Sequence, residues 1–469
     1  MRYVMKFGGT SIADGKKIRH VAQLLISYKE EDNQVVAITS ALGSVTDGLL
    51  TNAAEASQKG KVSQVKEFMT DLAKKHYDAI SDAIDNERIA DEVIETIDIR
   101  IDELEKALIG ICYLGELTPR SIDYISSYGE RLAVPIISGS IRSLGTDSKP
   151  FTGGEAGINT TEDYGNARPL QKSYAQIRRT IGPLVENSIP VVTGFIAEDE
   201  NGIITTLGRG GSDFTASLVG AAVQADEIWL WKEVHGIMTT DPKIVPEAST
   251  ISQISYIEAM ELSYFGAKVL HPRAIEPAIS HGIPVRVKNT FDTQFPGTLI
   301  VADQNCSEEV AKAVTLIRKV AAINICGAGM VGTIGTAAKI FSTLANAGVN
   351  IIMISQSSSE ANMSLIVEQA HLKRAIKALE HAFNEGVVGE VAYDEDVCVV
   401  AVVGAGMDGS PGVAGKIFGA LGKEKINVIM ISQGSSQHNI SFVVKEEDAE
   451  EAVRVLHRDF GLGKKNGCN

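Results

Sequence analysis

Residues 4–11 read Val4-Met5-Lys6-Phe7-Gly8-Gly9-Thr10-Ser11: an apolar pair, a lysine, two glycines and two hydroxyls. The apolar start is strand-like, and the pattern Lys16–Tyr28 beyond it is helical, so the glycines sit in a strand-to-helix turn. Such a turn can aim backbone N–H groups at an oxyanion, with lysine adding positive charge. It is not a Walker loop, because G-x-x-x-x-G-K-[ST] is absent from the chain. An ordinary tight turn fits the same residues, since glycine is the default there.

Working outward, the first 300 or so residues repeat this alternation. Strand candidates are Tyr3–Phe7, Val35–Thr39, Ile189–Thr193, Ile203–Thr205, Glu227–Leu230 and Pro284–Val287, with helical patterns at Lys16–Tyr28, Asp213–Val223 and Tyr256–Leu262. Continuously apolar strands between helices predict an α/β domain whose mainly parallel sheet is covered on both faces. Residues 53–110, rich in Ala, Glu, Lys and Asp, read as a helical insertion, a lid or an oligomer contact, with a solvated charged face.

From about residue 320 the chain repeats itself at an offset of 77. Gly327-Ala328-Gly329-Met330 recurs as Gly404-Ala405-Gly406-Met407, and Lys339-Ile340-Phe341 as Lys416-Ile417-Phe418. Gly335 maps to Gly412, Asn350 to Asn427, Gln356 to Gln433 and Asn362 to Asn439. This is an internal duplication of a β-α-β-β-α unit that normally ends in a fourth strand. The first copy has that strand at Val387–Tyr393; the second would take it from Val310–Leu316, which nests one unit in the other. Amides beside glycine turns, twice over, suit a small polar ligand, though the glycines also serve as packing turns.

The chain has 469 residues, 44% hydrophobic and 22% charged, with a formal net charge of −15. Two or three domains are expected at that length. The acidic balance argues against nonspecific binding to nucleic acid or anionic membrane. No apolar run approaches the ~20 residues of a membrane span, and, with a strand-like run at the start and no charged-then-apolar leader pattern, a signal peptide is not expected. Cys112, Cys306, Cys326, Cys398 and Cys468 are scattered without metal-ligand spacing. A cytoplasmic protein with reduced thiols and no bound metal of its own is expected.

Further segments could carry chemistry. Gly208-Arg209-Gly210-Gly211-Ser212-Asp213 is a second glycine turn between a strand and a helix, with Asp213 where an N-cap would stand. Ser127-Tyr128-Gly129-Glu130-Arg131 ends an amphipathic stretch, and Thr239-Thr240-Asp241-Pro242-Lys243 reads equally as a plain loop. Gly266-Ala267-Lys268-Val269-Leu270-His271-Pro272 holds a lysine in an apolar setting. It could be a snorkelling surface residue, or one of the fixed cations that phosphoryl transfer needs.

In this order, with Ser40-Ala41 after the second strand, these segments resemble the aspartokinases of the amino-acid kinase family, and the duplicated tail resembles a pair of ACT units. The resemblance covers nearly the whole chain. It implies an amino-acid-kinase-like sheet sandwiched by helices over residues 1–302, then a regulatory region over 308–469. There the ferredoxin-like βαββαβ units would cover about 320–393, and 308–317 plus 397–464, nested. It implies phosphorylation of the side-chain carboxylate of L-aspartate by ATP, with Mg²⁺ held mainly by the nucleotide phosphates.

By the same resemblance Lys6, Asp213 and Lys268 are catalytic, Asp213 orienting the lysines. Arg209 would grip the substrate α-carboxylate and Glu130 its ammonium, with Ser40, Thr46 and Ser212 completing the pocket. Gly8, Gly9, Ser11, Gly210, Gly211, Lys232, Glu233, Met238, Asp241, Lys243 and Lys268 would hold the nucleotide. Lys232, Glu233, Met238 and Lys243 depart from the family, which reads Thr, Asp, Tyr and Arg there; lysine for arginine loses the bidentate fork. Met330, Gly335, Asn350, Gln356, Asn362, Met407, Asn427, Gln433 and Asn439 would bind an amino-acid effector, lysine or threonine. Assembly into a homodimer or homotetramer through the ACT units is implied. The competing readings are an amino-acid kinase for another carboxylate or carbamate, which the Arg209/Glu130 pair argues against, and a catalytically impaired amino-acid sensor.

Overall fold

The computed structural model describes residues 1–265, 270–302, 310–359, 361–383, 390–434 and 437–463. They divide into two units. Residues 1–237, 252–256 and 270–302 form the first; residues 238–251, 257–265 and those from 310 onward form the second.

The strands of the first unit are β1 Arg2–Phe7, β2 Gln34–Thr39, β3 Ser148–Phe151, β4 Ile189–Thr193, β5 Ile196–Glu198, β6 Ile204–Thr206, β7 Glu227–Lys232, β8 Gln253–Ser255, β9 Val285–Asn289 and β10 Thr298–Val301. Eight of them form one sheet in the order β3-β4-β2-β1-β7-β9-β10-β8. All run parallel from β3 to β9; β10 is antiparallel to β9 and parallel to β8. In the middle Met5 lies opposite Ala37 and Trp229, all buried. Covered faces explain why these strands read as unbroken apolar runs.

The helices, in chain order, are α1 Gly15–Glu30, α2 Val45–Lys59, α3 Val62–Ala83, α4 Glu87–Leu114, α5 Pro119–Ser143, α6 Lys172–Ile181, α7 Gly211–Val223, α8 Tyr256–Tyr264, whose residues from 257 onward belong to the second unit, and α9 Glu276–His281. The expected helical insertion is real and longer at both ends, comprising α2, α3 and α4. Its apolar stripe, with Leu49, Met69, Ile97, Leu104 and Leu108, joins the same core as Met5, Ile18 and Leu132. Two local expectations are corrected. The strand near Ile203–Thr205 is β6, which pairs antiparallel with β5 in a two-stranded ribbon outside the main sheet. The Ser127–Arg131 segment lies in the middle of α5 rather than at its end.

The second unit contains β11 Ala313–Cys326, β12 Ile351–Gln356, β13 Asn362–Glu368, β14 Glu390–Val403, β15 Met430–Ser432 and β16 Asn439–Lys445, in the order β12-β13-β11-β14-β16-β15. Its helices are α10 Thr336–Asn346, α11 Leu372–Ala382, α12 Val413–Lys423 and α13 Glu446–Asp459. The copies are nested. Ala313–Ile317 pairs with Val399–Val403 and completes the second copy, while Val320–Cys326 pairs with β13 and with the Glu390–Asp394 end of β14 in the first. The register shifts between Ile317 and Val320, where Lys319 has φ +58°. Each copy has its own core, around Ile340, Leu344 and Leu365 in the first and Val400, Ile417 and Phe442 in the second.

A cut at residue 302 would leave residues 238–251 with the sheet of the first unit. In the structure Ile244 and Val245 bury themselves in the core of the second copy instead. The buried Thr239 hydroxyl meets His457 Nε2 of α13 at 2.9 Å, and Val314 N–H donates to the Thr239 carbonyl at 2.8 Å.

Candidate active site

Four segments of the first unit converge on one cavity of about 400 Å³. The end of β1 supplies Lys6 and the turn behind it Gly9; the turn after β2 supplies Ser40 and Ala41, with Thr46 at the start of α2. The middle of α5 supplies Glu130, and the loop into α7 supplies Gly208 through Asp213. The cavity lies at the carboxyl ends of central parallel strands, where open α/β sheets bind ligands.

Buried Asp213 is the hub. One carboxylate oxygen pairs with Lys6 Nζ at 2.7 Å and the other with Lys232 Nζ at 2.8 Å. Burial alone would raise its pKa, but the two ammonium groups hold it well below the usual carboxylate range. Burial pushes the Lys6 ammonium down from its ordinary value, against the pull of Asp213. Asp213 is the third residue of α7; the N-cap is Gly210, at φ +74°, which corrects the capping role expected for Asp213. A Cβ on Gly210 would stand 2.6 Å from the Cβ of His271, so both conformation and space call for glycine.

Glu130 faces the cavity from α5. Its Oε1 accepts from Ala41 N–H at 3.1 Å, while its buried Oε2 has no partner among the described residues. Burial pushes its carboxyl up to about 8. The approach needs Gly129, where a Cβ would lie 2.7 Å from the Cβ of Ala41. A buried carboxylate oxygen with an unused acceptor site beside a cavity is a ready partner for an ammonium group. Exposed Arg209 stands in the cavity lining, and Ser40 Oγ donates to Ser212 Oγ at 3.1 Å.

Lys6, Ser40, Thr46, Glu130, Arg209, Ser212 and Asp213 are thus brought together as expected, with Gly9, Gly210 and Gly211. Others are placed differently. Gly8 precedes the turn Gly9–Ile12, and the Ser11 hydroxyl is buried against Thr290 Oγ1 at 2.8 Å, spent on holding the turn. Lys232 is tied to Asp213, while Glu233 is exposed. Met238, Asp241 and Lys243 fall in the second unit, where Asp241 Oδ1 accepts from Lys243 N–H at 2.9 Å. Lys268 lies outside the described residues. The sequence reading missed Ser44, Asp47 and Phe195 in the lining. Ser44 and Phe195 owe their positions to φ of +62° and +68°, which side-chain pattern does not announce. It also missed Asp123, two helical turns before Glu130, whose buried carboxylate accepts from Gly165 N–H, Thr206 N–H and the Thr206 hydroxyl and so braces the strand leading to Arg209.

In the second unit Met330, Gly335 and Gln356 line a cavity of about 330 Å³ in the first copy, whereas Asn350 and Asn362 are exposed and not part of that lining. Met407 of the second copy is buried in its core; Asn427 and Gln433 are exposed, and the Asn439 side-chain amide donates to Glu261 Oε2. Among the described residues no three His, Cys, Asp or Glu side chains form a metal site, and no helix is long and apolar enough to cross a membrane.

Comparison with known proteins agrees with this arrangement. The amino acid kinase family model matches residues 1–289, and an ACT domain model matches residues 323–383 and 400–460. Chloroplastic aspartokinase 1 of Arabidopsis thaliana is 34% identical over 97% of this chain and 80% of its own length. Aspartokinase III of E. coli, solved with aspartate and ADP, superposes with a TM-score of 0.80 at 26% identity, covering 98% of this chain and 99% of that one. Aspartate kinase of Clostridium acetobutylicum gives the same TM-score of 0.80 at 29% identity, over 98% of this chain and 100% of that one. The chain belongs to the amino acid kinase family, among the aspartokinases that carry tandem ACT domains.

Proposed function

We propose that the chain transfers the γ-phosphoryl group of ATP to the side-chain carboxylate of L-aspartate, giving 4-phospho-L-aspartate and ADP. This would be the first step toward the aspartate-derived amino acids lysine, threonine and methionine. The observation that carries the reading is the pairing of two kinds of subsite in one cavity: the Lys6–Asp213 pair, with Lys232 on the second Asp213 oxygen, and the unpartnered Glu130 Oε2. The complexes of E. coli aspartokinase III with aspartate and ADP, and with lysine and aspartate, support the choice of substrates and of an amino-acid effector.

Glu130 takes the α-ammonium and Arg209 the α-carboxylate, which turns the side-chain carboxylate toward Lys6. That carboxylate is already ionised at pH 7, so no general base is needed. Lys6 and Lys232 neutralise charge on the transferring group, Asp213 fixes their spacing, and N–H groups of the two glycine turns receive phosphate oxygens. Both Asp213 oxygens are engaged by lysines, so this donor set fits Mg²⁺ held on the nucleotide phosphates rather than by a carboxylate cage. When bound, the ion would neutralise phosphate charge. The cavity of the first ACT copy would take a lysine or threonine effector. Ile354 and Ile431, exposed on the outermost strands β12 and β15, support assembly of like chains through the ACT units. Cys112, Cys326 and Cys398, free thiols, suit a reducing, cytoplasmic setting.

The test is incubation with ATP, Mg²⁺ and L-aspartate, trapping the acyl phosphate with hydroxylamine. Aspartate hydroxamate is expected, and Lys6→Ala should abolish it while leaving amino-acid binding to the ACT region. Product from glutamate or carbamate but not aspartate would overturn the reading. Tight amino-acid binding without any turnover would support the sensor instead.

A further inference from the structure

On α5 the residue after Glu130, Arg131, lines a second cavity of the first unit, about 170 Å³ in volume. Arg100 enters it from α4 of the helical insertion, and the rest of the lining is the turn Thr152–Glu155 after β3 and parts of the β5–β6 ribbon. Arg131 spends Nη2 on Glu103 at 3.2 Å and lies 4.2 Å over the Tyr128 ring, while its buried Nη1 has no hydrogen-bond partner among the described residues. Arg100 donates through Nη1 to the Arg131 carbonyl and, among the described residues, pairs with no carboxylate. Burial and the neighbouring Arg131 push its pKa down. Two carboxyl groups share the lining. Glu155 caps its own turn, Oε2 accepting from Thr152 N–H at 2.7 Å. Glu198 forms no ion pair among the described residues, and burial, with Glu155 nearby, pushes its carboxyl up. The turn can come this close only as glycine, since a Cβ on Gly154 would collide with the Glu198 carboxyl.

A guanidinium drawn out of water without a counter-ion is costly, so the cavity is poised for an anion. A bare anion would also face Glu155 and Glu198, whereas a molecule carrying both charges complements the whole lining. We propose that this cavity is a second small-molecule site, taking an α-amino-acid zwitterion whose carboxylate lies between the Arg100 and Arg131 guanidiniums and whose ammonium meets Glu198. At ~30 Å³ per water the space holds about six waters, which suits glycine, alanine or serine. Such a ligand ties α5 to the β5–β6 ribbon. The first carries Glu130 beside Arg131, and the second leads directly into the loop of Arg209. Tying them together preorganises the pair that grips aspartate, so occupancy lowers the KM for aspartate. That coupling rests on the proposed function; the binding does not.

Calorimetry on the full-length protein tests the binding, with glycine, L-alanine and L-serine as zwitterions and acetate and inorganic phosphate as single anions. At least one zwitterion should bind about tenfold tighter than either anion, and Arg100→Met and Glu198→Gln should each weaken it at least about tenfold. A crystal structure with the tightest zwitterion should place its carboxylate on Arg131 Nη1, a readout that needs no variant. No zwitterion bound, binding that both variants leave unchanged, a ligand seated elsewhere, or an anion bound as tightly as the zwitterion would overturn the site. The same zwitterion should lower the KM for aspartate at least about twofold in the wild type and leave it unmoved in Arg100→Met. An unmoved or raised wild-type KM would overturn the coupling. If the protein does not phosphorylate aspartate, the proposed function fails while calorimetry and the crystal structure still decide the site; a working kinase without binding that depends on Arg100 refutes the site alone.

Discussion

Replacing Glu130 with Gln keeps the side-chain shape and the bond from Ala41 N–H but removes the charge that would meet the substrate ammonium. In the wild type that charge is not freely available: burial pushes the carboxyl up to about 8. An incoming ammonium must therefore displace a proton at any pH below this value, at a cost of about 1.4 kcal/mol, or tenfold, per pH unit. The wild-type kcat/KM for aspartate should rise about tenfold per unit between pH 6 and 7.5 and level off near pH 8. At pH 6 it should stand at about 1% of the plateau. Glu130→Gln should lower the plateau by about 2–4 kcal/mol, the usual cost of losing one partner of a buried charged hydrogen bond, or roughly 30- to 1000-fold. It should also flatten the slope between pH 6 and 8, with the KM for ATP within about twofold of wild type. The assay is ADP release at aspartate concentrations below KM, across pH 6–9. A flat wild-type profile, or a variant that keeps the wild-type slope, would refute the assignment of the ammonium to Glu130.

Arg209→Lys keeps a cation but loses the fork that grips a carboxylate in two places; KM for aspartate should rise about 10- to 100-fold with kcat changed far less, as steady-state kinetics would show. Gly210→Ala forces a side chain into φ +74° and against His271; it should lower unfolding stability by at least about 1–2 kcal/mol in denaturant titration and raise KM for aspartate. Asp213, held well below the usual carboxylate range, contributes stability that is present above its unfolded pKa and lost as pH falls through its folded one. Glu130 acts in the opposite sense: the stability it lends is full below the unfolded carboxylate range and lost as pH rises toward 8. The ligand-free enzyme should therefore be most stable in mildly acidic buffer, and the Glu130→Gln variant should keep its melting temperature from pH 6 to 8 better than the wild type.

Much of the site was legible because its chemistry is local. Each glycine turn is a short contiguous signal, and Glu130 and Arg209 stand inside motifs whose order along the chain is specific. The nesting was legible too, since a duplication at a constant offset leaves the second copy one strand short and only Val310–Leu316 was available. What escaped depends on distant residues. Lys232 reads as a departure from a nucleotide-binding pattern, and nothing near it announces that it shares Asp213 with Lys6. Thr239–Lys243 reads as a loop of the kinase part, yet Ile244 and Val245 beyond it are buried in the second ACT core. A three-residue strand such as Ile204–Thr206 carries too little pattern to tell a sheet member from a ribbon.

The strands β11 and β14 each run through both ACT copies, giving one end to each. No single peptide bond therefore separates one intact copy from the other. A nick that frees the first copy takes a strand from the second, and removing β14 leaves both sheets incomplete. The pair should melt as one cooperative block, and the usual freedom of duplicated genes to shed or swap one copy is closed to this chain. Either copy can diverge in what it binds, but neither can leave.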